Sequence, residues 1–370
     1  MSALRSILFV AYPLLPVSDA SCGGAEQMLW TLERELASSG IRTAVAACAG
    51  SRVHGELLCT GTAPQEPDQF ENRQGEHSQA VLEFCRTREF SIVHDKSGHF
   101  WPHAAQLDVP VVATLHLPRS FYPDGAFDSV ARNVFFNCVS ESQAESFGEL
   151  PNFTGVVPNG IALDRFPFTE SAQASKRDYL LWMGRICPEK GTHLALDAAR
   201  RAGMKLIVAG AVYPFSWHRQ YFQREVEPRL RAAGPMAEYV EAPPFAHKLE
   251  LLRNARALLI PTLAAETSSL VAMEAMACGT PVVAFANGAV PEVVADGETG
   301  FLVKDVKEMA DAVVRIDAID PKRCRARVEE RFSAARMAED YQQLYRVVAE
   351  RYGITNGIAG KVWVPHLRGA

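Results

Sequence analysis

The stretch Tyr179-Leu180-Leu181-Trp182-Met183-Gly184-Arg185-Ile186-Cys187-Pro188-Glu189-Lys190-Gly191 runs from an apolar segment into a glycine-containing loop with two cations. A helical pattern opens at Thr192. A short apolar run stopped by glycine reads as a buried strand. Strand, loop and helix in that order are half of a βαβ unit and imply a parallel sheet. In such sheets ligands bind beyond the carboxyl ends of the strands. Arg185 and Lys190 stand there, and two fixed cations suit a diphosphate, which Arg grips bidentately. A solvated basic turn is the other reading of the same residues.

The same alternation extends in both directions. Downstream, apolar runs at Leu206–Ala209, Tyr239–Glu241, Ala257–Ile260 and Pro281–Ala284 read as strands. Upstream, the runs are Ile7–Tyr12, Thr43–Ala49, Ile92–His94, Val111–His116 and Phe135–Val139. Among the intervening helices the clearest is Ala25–Ser39, with Met28, Leu29, Leu32 and Leu36 on one face and Gly40 as its stop. The polar stretch Thr169–Arg177 interrupts the series. The expected organisation is an N-terminal domain over residues 1–167, a linker at 168–177 and a second domain over 178–332. Residues 333–370 form a helix returning toward the first domain, plus a tail without periodicity after Gly353. The fold class is α/β, with two Rossmann-like doubly wound domains facing across a ligand cleft.

Composition narrows the function. The 370 residues suffice for two cores, and 48% apolar with 22% charged residues is a globular balance. A net charge of −5 offers no general attraction to nucleic acid or anionic lipid. The 8 cysteines are scattered singly, without CxxC or zinc-finger spacing, as reduced thiols of a cytoplasmic protein would be. Arg5 followed by Ile7–Leu15 reads either as a first strand ending at Pro13 or as a short signal peptide. No apolar run approaches the ~20 residues of a membrane span, so no stable membrane insertion is expected. Neither GxxxxGK[ST] nor GxGxxG occurs, which removes support for an ATPase or a nicotinamide enzyme.

A second segment carries chemistry: Glu266-Thr267-Ser268-Ser269-Leu270-Val271-Ala272-Met273-Glu274-Ala275-Met276-Ala277-Cys278-Gly279. From Leu270 to Cys278 every residue but Glu274 is apolar, so the helix is buried and its carboxylate needs a partner. A pair of ligand hydroxyls would serve, and so would a neighbouring Arg. Thr267, Ser268 and Ser269 are N-cap types, and a helix start with free N–H groups attracts phosphate.

Together these segments resemble glycosyltransferase family 4, the retaining, nucleotide-sugar-dependent enzymes with the GT-B fold. Nearly the whole chain takes part. The shared features include Gly23-Gly24-Ala25-Glu26, Val157-Pro158-Asn159-Gly160-Ile161, the Gly-Arg…Glu-Lys-Gly loop, Glu266-x7-Glu274 and Pro291-Glu292-Val293. The resemblance implies that Arg185 and Lys190 hold the donor diphosphate beside Gly184. It also implies that Glu274 binds ribose hydroxyls, that Glu266 contacts the donor sugar, and that Thr267, Ser268, Ser269 and Leu270 lie along the donor. Gly23 and Gly24 would let backbone approach the phosphates, and His116, followed by Pro118, would lie near the donor sugar. Family members commonly carry Gly-Phe-Gly after the first glutamate; Thr267-Ser268-Ser269 here leaves the donor's identity open.

Other candidates are weaker. His116 is equally a strand-end histidine bonded to a loop carbonyl. His94 to Gly98 would line the acceptor side. His99 and His103 have i, i+4 spacing, but no HExxH or DxD is present, so no metal is expected. No cofactor is expected beyond the donor, since fixed cations do a metal's electrostatic work. The aromatic run Tyr213–Phe222 reads as the start of an amphipathic helix, or as a lid over the nucleotide or a partner surface. The expected activity is retaining transfer of a hexose-type sugar from a nucleotide-diphosphate sugar to a small-molecule, glycan or lipid-linked acceptor. A nucleotide-sugar epimerase, a pyridoxal-dependent phosphorylase and a silent nucleotide-sugar-binding protein are the rivals.

Overall fold

The computed structural model describes residues 5–21, 23–64, 66–168 and 178–353. The stretch 169–177, most of the expected linker, and the tail after Gly353 lie outside them.

The chain divides into two compact units. The first carries a seven-stranded parallel sheet: β1 (Ser6–Val10), β2 (Arg42–Ala47), β3 (Glu56–Cys59), β4 (Ile92–Asp95), β5 (Val111–Thr114), β6 (Val134–Cys138) and β7 (Phe153–Val156). Their order is β3-β2-β1-β4-β5-β6-β7. The second carries a six-stranded parallel sheet: β8 (Tyr179–Met183), β9 (Lys205–Gly210), β10 (Ala237–Glu241), β11 (Ala257–Ile260), β12 (Val282–Phe285) and β13 (Gly300–Val303). The order there is β10-β9-β8-β11-β12-β13. Both orders grow one way from the first strand and then reverse, which is the doubly wound arrangement.

Burial explains why the runs become strands. All of Ser6–Val10 is buried between β2 and β4, so the unbroken apolar stretch suits a central strand covered on both faces. The helix over Gly24–Ser38 sets Met28, Leu29, Leu32 and Leu36 into the core. Its end is the expected one: Gly40 adopts φ +87°, which favours glycine.

The division between units falls at Gly160/Ile161 and at Ser333/Ala334. It precedes the polar stretch because Ile161 already pairs with Ser333 and Phe332, and Phe166 packs against Phe245. The last helix, Ala334–Tyr352, belongs to the first unit. Tyr341 and Tyr345, one turn apart, are both fully buried there. Among the described residues, no helix is long and apolar enough to cross a membrane.

Candidate donor site and relatives

In the second unit the strand order reverses between β8 and β11, and that is where a doubly wound sheet opens to ligand. The loops leaving those two strands carry Arg185 to Lys190 and Pro261 to Glu266. They are tied together by backbone: Leu263 N–H donates to the Glu189 carbonyl at 2.8 Å, and the Thr262 hydroxyl donates to the same oxygen at 3.1 Å. The loop after β12 joins them, since the Asn287 amide donates to the Thr262 carbonyl and Ala289 N–H to the Glu266 carbonyl.

Within this frame Lys190 Nζ lies 2.5 Å from Glu266 Oε1, with Glu266 mostly buried. Lys190 is oriented by the turn Pro188–Lys190, whose exit residue Gly191 has φ +64°. A Cβ on Gly191 would fall 2.1 Å from the Pro261 carbonyl oxygen, so the two loops approach as closely as glycine allows. Arg185 is exposed and lays its guanidinium 5.7 Å from the Tyr213 ring centre. The helix Leu270–Ala277 starts after Ser269, whose hydroxyl makes no capping bond, so its first backbone N–H groups are left for another acceptor. Glu274, 4% exposed, is bound by Lys248 at 2.6 Å.

In the first unit the reversal lies between β1 and β4. Beyond it a cavity of about 400 Å³ is lined by Ser97, His99, Thr114, His116, Phe121 and Tyr122, among others. Its floor is a buried polar network. His94 bonds the Tyr345 hydroxyl at 2.6 Å and the Thr114 hydroxyl at 2.7 Å, and Thr114 donates to Asn137. Lys96 is buried with its ammonium 3.2 Å from the Tyr341 hydroxyl. Burial, helped by that ammonium, holds His116 well below its ordinary pKa, so its imidazole is neutral. The Asp95 carboxylate is fully buried and satisfied by backbone N–H groups of Ser97, Gly98, Phe100 and Trp101.

Residues 22–165 match the model of Glycosyltransferase Family 4, and residues 177–317 match that of Glycosyl transferases group 1. The chain belongs to glycosyltransferase family 4. A relative is the D-inositol 3-phosphate glycosyltransferase of Acidothermus cellulolyticus, 28% identical over 86% of this chain and 83% of its own. Sucrose-phosphate synthase from Thermosynechococcus elongatus shares the fold, with a TM-score of 0.76 at 21% identity over 94% of this chain and 99% of that one. Anabaena HepE, solved in complex with UDP-glucose, shares it with a TM-score of 0.70 at 16% identity over 93% and 99%. The fold of this glycosyltransferase is therefore GT-B.

Placed in the transferase, the residues expected from the sequence fall into groups. Gly184, Arg185, Lys190, Glu266 and the Thr267–Leu270 turn share the β8/β11 opening, where Lys190 pairs with Glu266. His116 does not end a strand: β5 stops at Thr114, and Leu115 makes the last backbone bond to the neighbouring strand, leaving His116 in the loop beyond. A Cβ on Gly23 would fall 1.9 Å from Glu26 Oε2, so this carboxylate fills the space beside Gly23 at the helix start. Burial raises the Glu26 carboxyl above its ordinary range. The neighbouring cation of Glu274 is Lys248 rather than an Arg, which sequence reading missed because it lies on another helix, Phe245–Asn254. Tyr213–Phe222 does supply a helix, Ser216–Tyr221. His99 and His103 join no metal-ligating group among the described residues.

Proposed function

We propose that this transferase moves a hexose-type sugar from a nucleotide-diphosphate sugar to an acceptor hydroxyl, with retention at the anomeric carbon and no metal at the reacting centre. The observation that carries the reading is the Lys190–Glu266 pair at the β8/β11 opening. It puts a fixed cation where a diphosphate would sit and a carboxylate where it could meet the sugar. HepE, with the same fold, was solved with UDP-glucose, and this is consistent with a nucleotide-sugar donor here.

In the proposed step the bond from the anomeric carbon to the phosphate oxygen breaks and its electron pair stays on the diphosphate. Lys190 and Arg185 stabilise that charge. The acceptor oxygen bonds the anomeric carbon on the face the phosphate leaves. The acceptor proton passes to the departing phosphate oxygen, so no protein nucleophile is consumed. Glu266, already engaged by Lys190, is a poor candidate for a covalent adduct. Glu274 would accept the ribose hydroxyls, and neutral His116 would hydrogen-bond sugar rather than phosphate. The cavity at His116 and Tyr122 has the volume of a small-ligand pocket and is the proposed acceptor side.

The test is a screen of uridine, guanosine, adenosine and thymidine diphosphate hexoses with mixed acceptors, read as nucleotide release and then as product anomer by proton NMR. Product with the donor's anomeric configuration supports the reading. An inverted product, a glycosyl adduct trapped on Glu266, or an epimerised donor without transfer overturns it.

A further inference from the structure

Next to Arg185 lies a cluster that the transfer reaction does not use. Cys187 follows β8 in the loop, Glu189 stands two residues on, and His218 comes from the helix Ser216–Tyr221. Cys187 Sγ, a carboxylate oxygen of Glu189 and a ring nitrogen of His218 all lie within 4.8 Å of one another. Cys187 is 0% and His218 2% exposed. His218 Nδ1 is shielded from solvent and has no hydrogen-bond partner, and Glu189 Oε2 is shielded beside it. The Cys187 thiol hydrogen-bonds the Glu189 carboxylate, and Cys187 Sγ lies 3.6 Å from the Arg185 carbonyl oxygen.

An orphaned ring nitrogen on a buried histidine demands a reason, since it costs about 1–3 kcal/mol. A hydrogen bond to the neighbouring Glu189 carboxylate would relieve it, and the chain does not make one at His218 Nδ1. Ligands sharing one tetrahedral ion stand about 3.3–3.8 Å apart, as follows from bonds of roughly 2.0–2.3 Å. Ligand atoms within 4.8 Å of one another are near that spacing. Thiolate, imidazole and carboxylate together suit a borderline divalent ion. The His218 ring is also held, with Phe215 and Trp217 rings at 5.3 and 5.2 Å between centres.

We propose that Cys187, Glu189 and His218 bind a zinc-class divalent ion that clamps the loop after β8 to the helix Ser216–Tyr221. On binding, the Cys187 S–H bond is replaced by a sulfur–metal bond and the proton passes to solvent. The ion stands apart from the transfer chemistry, whose charge is carried by Arg185 and Lys190. Its effect is structural, because the Glu189 carbonyl holds the β11 loop through Leu263 and Thr262.

The test uses the full chain, stripped with chelator under reducing conditions and titrated anaerobically with Co²⁺. The expected result is a sulfur-to-cobalt charge-transfer band in the near ultraviolet. It should saturate at one ion per chain, be displaced by Zn²⁺, and vanish in Cys187→Ser. His218→Gln is expected to weaken binding at least about tenfold. No band in the wild-type chain overturns the proposal without reliance on any variant's folding. A band that persists in folded Cys187→Ser overturns it too, since the ion would then sit on another cysteine.

Discussion

Lys190 and Glu266, 76 residues apart in sequence, hold their charges 2.5 Å apart at the point where the second sheet reverses its strand order. The cation proposed for the diphosphate is thus neutralised by the carboxylate proposed for the sugar. In the proposed reaction an arriving diphosphate would compete with Glu266 for Lys190 and leave Glu266 to turn toward the sugar.

Glu266→Gln should separate binding from turnover. The ion pair is lost, so Lys190 is freer for phosphate and nucleoside diphosphate affinity should stay within about threefold of wild type or improve. Turnover should fall about 10²-fold or more, on the scale of one lost transition-state contact. Calorimetric affinity and steady-state kcat check both halves. Undiminished kcat would remove Glu266 from the reaction.

The Glu274–Lys248 pair invites a test of structure against recognition. Glu274→Ala leaves Lys248 largely buried without its partner and should cost about 3 kcal/mol of stability. Replacing both by Met should restore most of that stability, because well-packed apolar pairs substitute for buried ion pairs. Nucleotide affinity should remain lost in the double variant. Urea unfolding and nucleotide titration of the three proteins decide. Affinity that returns with stability would make Glu274 purely structural.

Acid should destabilise the first unit through His77. Burial, with Arg73 nearby, lowers its pKa from 6.5 to about 4. The folded form keeps the neutral ring, so no penalty exists above the unfolded pKa. As pH falls from about 6.5 to 4 the unfolded chain takes up the proton first, and stability drops by about 3 kcal/mol. His77→Gln, which can keep a bond to the Thr60 hydroxyl, should flatten that part of the pH–stability curve. An unchanged slope would contradict the assignment.

How much of this was visible in the sequence depended on burial. β8 and β11 were legible to the residue because they lie inside a sheet and read as unbroken apolar runs. β3, β7 and β13 were missed, and all three are edge strands, although the fourth edge strand, β10, was read at Tyr239–Glu241. Glu56 and Cys59 of β3 are exposed, and such half-covered strands keep no continuous apolar signal. The site divided in the same way. Arg185, Lys190, Glu266 and Glu274 announced themselves as polar residues at strand ends or inside an apolar helix. Lys248 and His218 lie on helices of mixed composition, and only folding brings them to Glu274 and to Cys187.

Whether the β8/β11 opening binds a nucleoside diphosphate is decided by a thermal-shift titration. Uridine, guanosine, adenosine and thymidine diphosphates would be titrated against wild type, Lys190→Ala and Arg185→Ala. One nucleotide series should stabilise the wild type, by about 2.7 kcal/mol at roughly a hundred times its Kd. Both variants should lose that gain while remaining folded. Stabilisation by none of the four, or stabilisation that survives both substitutions, would contradict the claim.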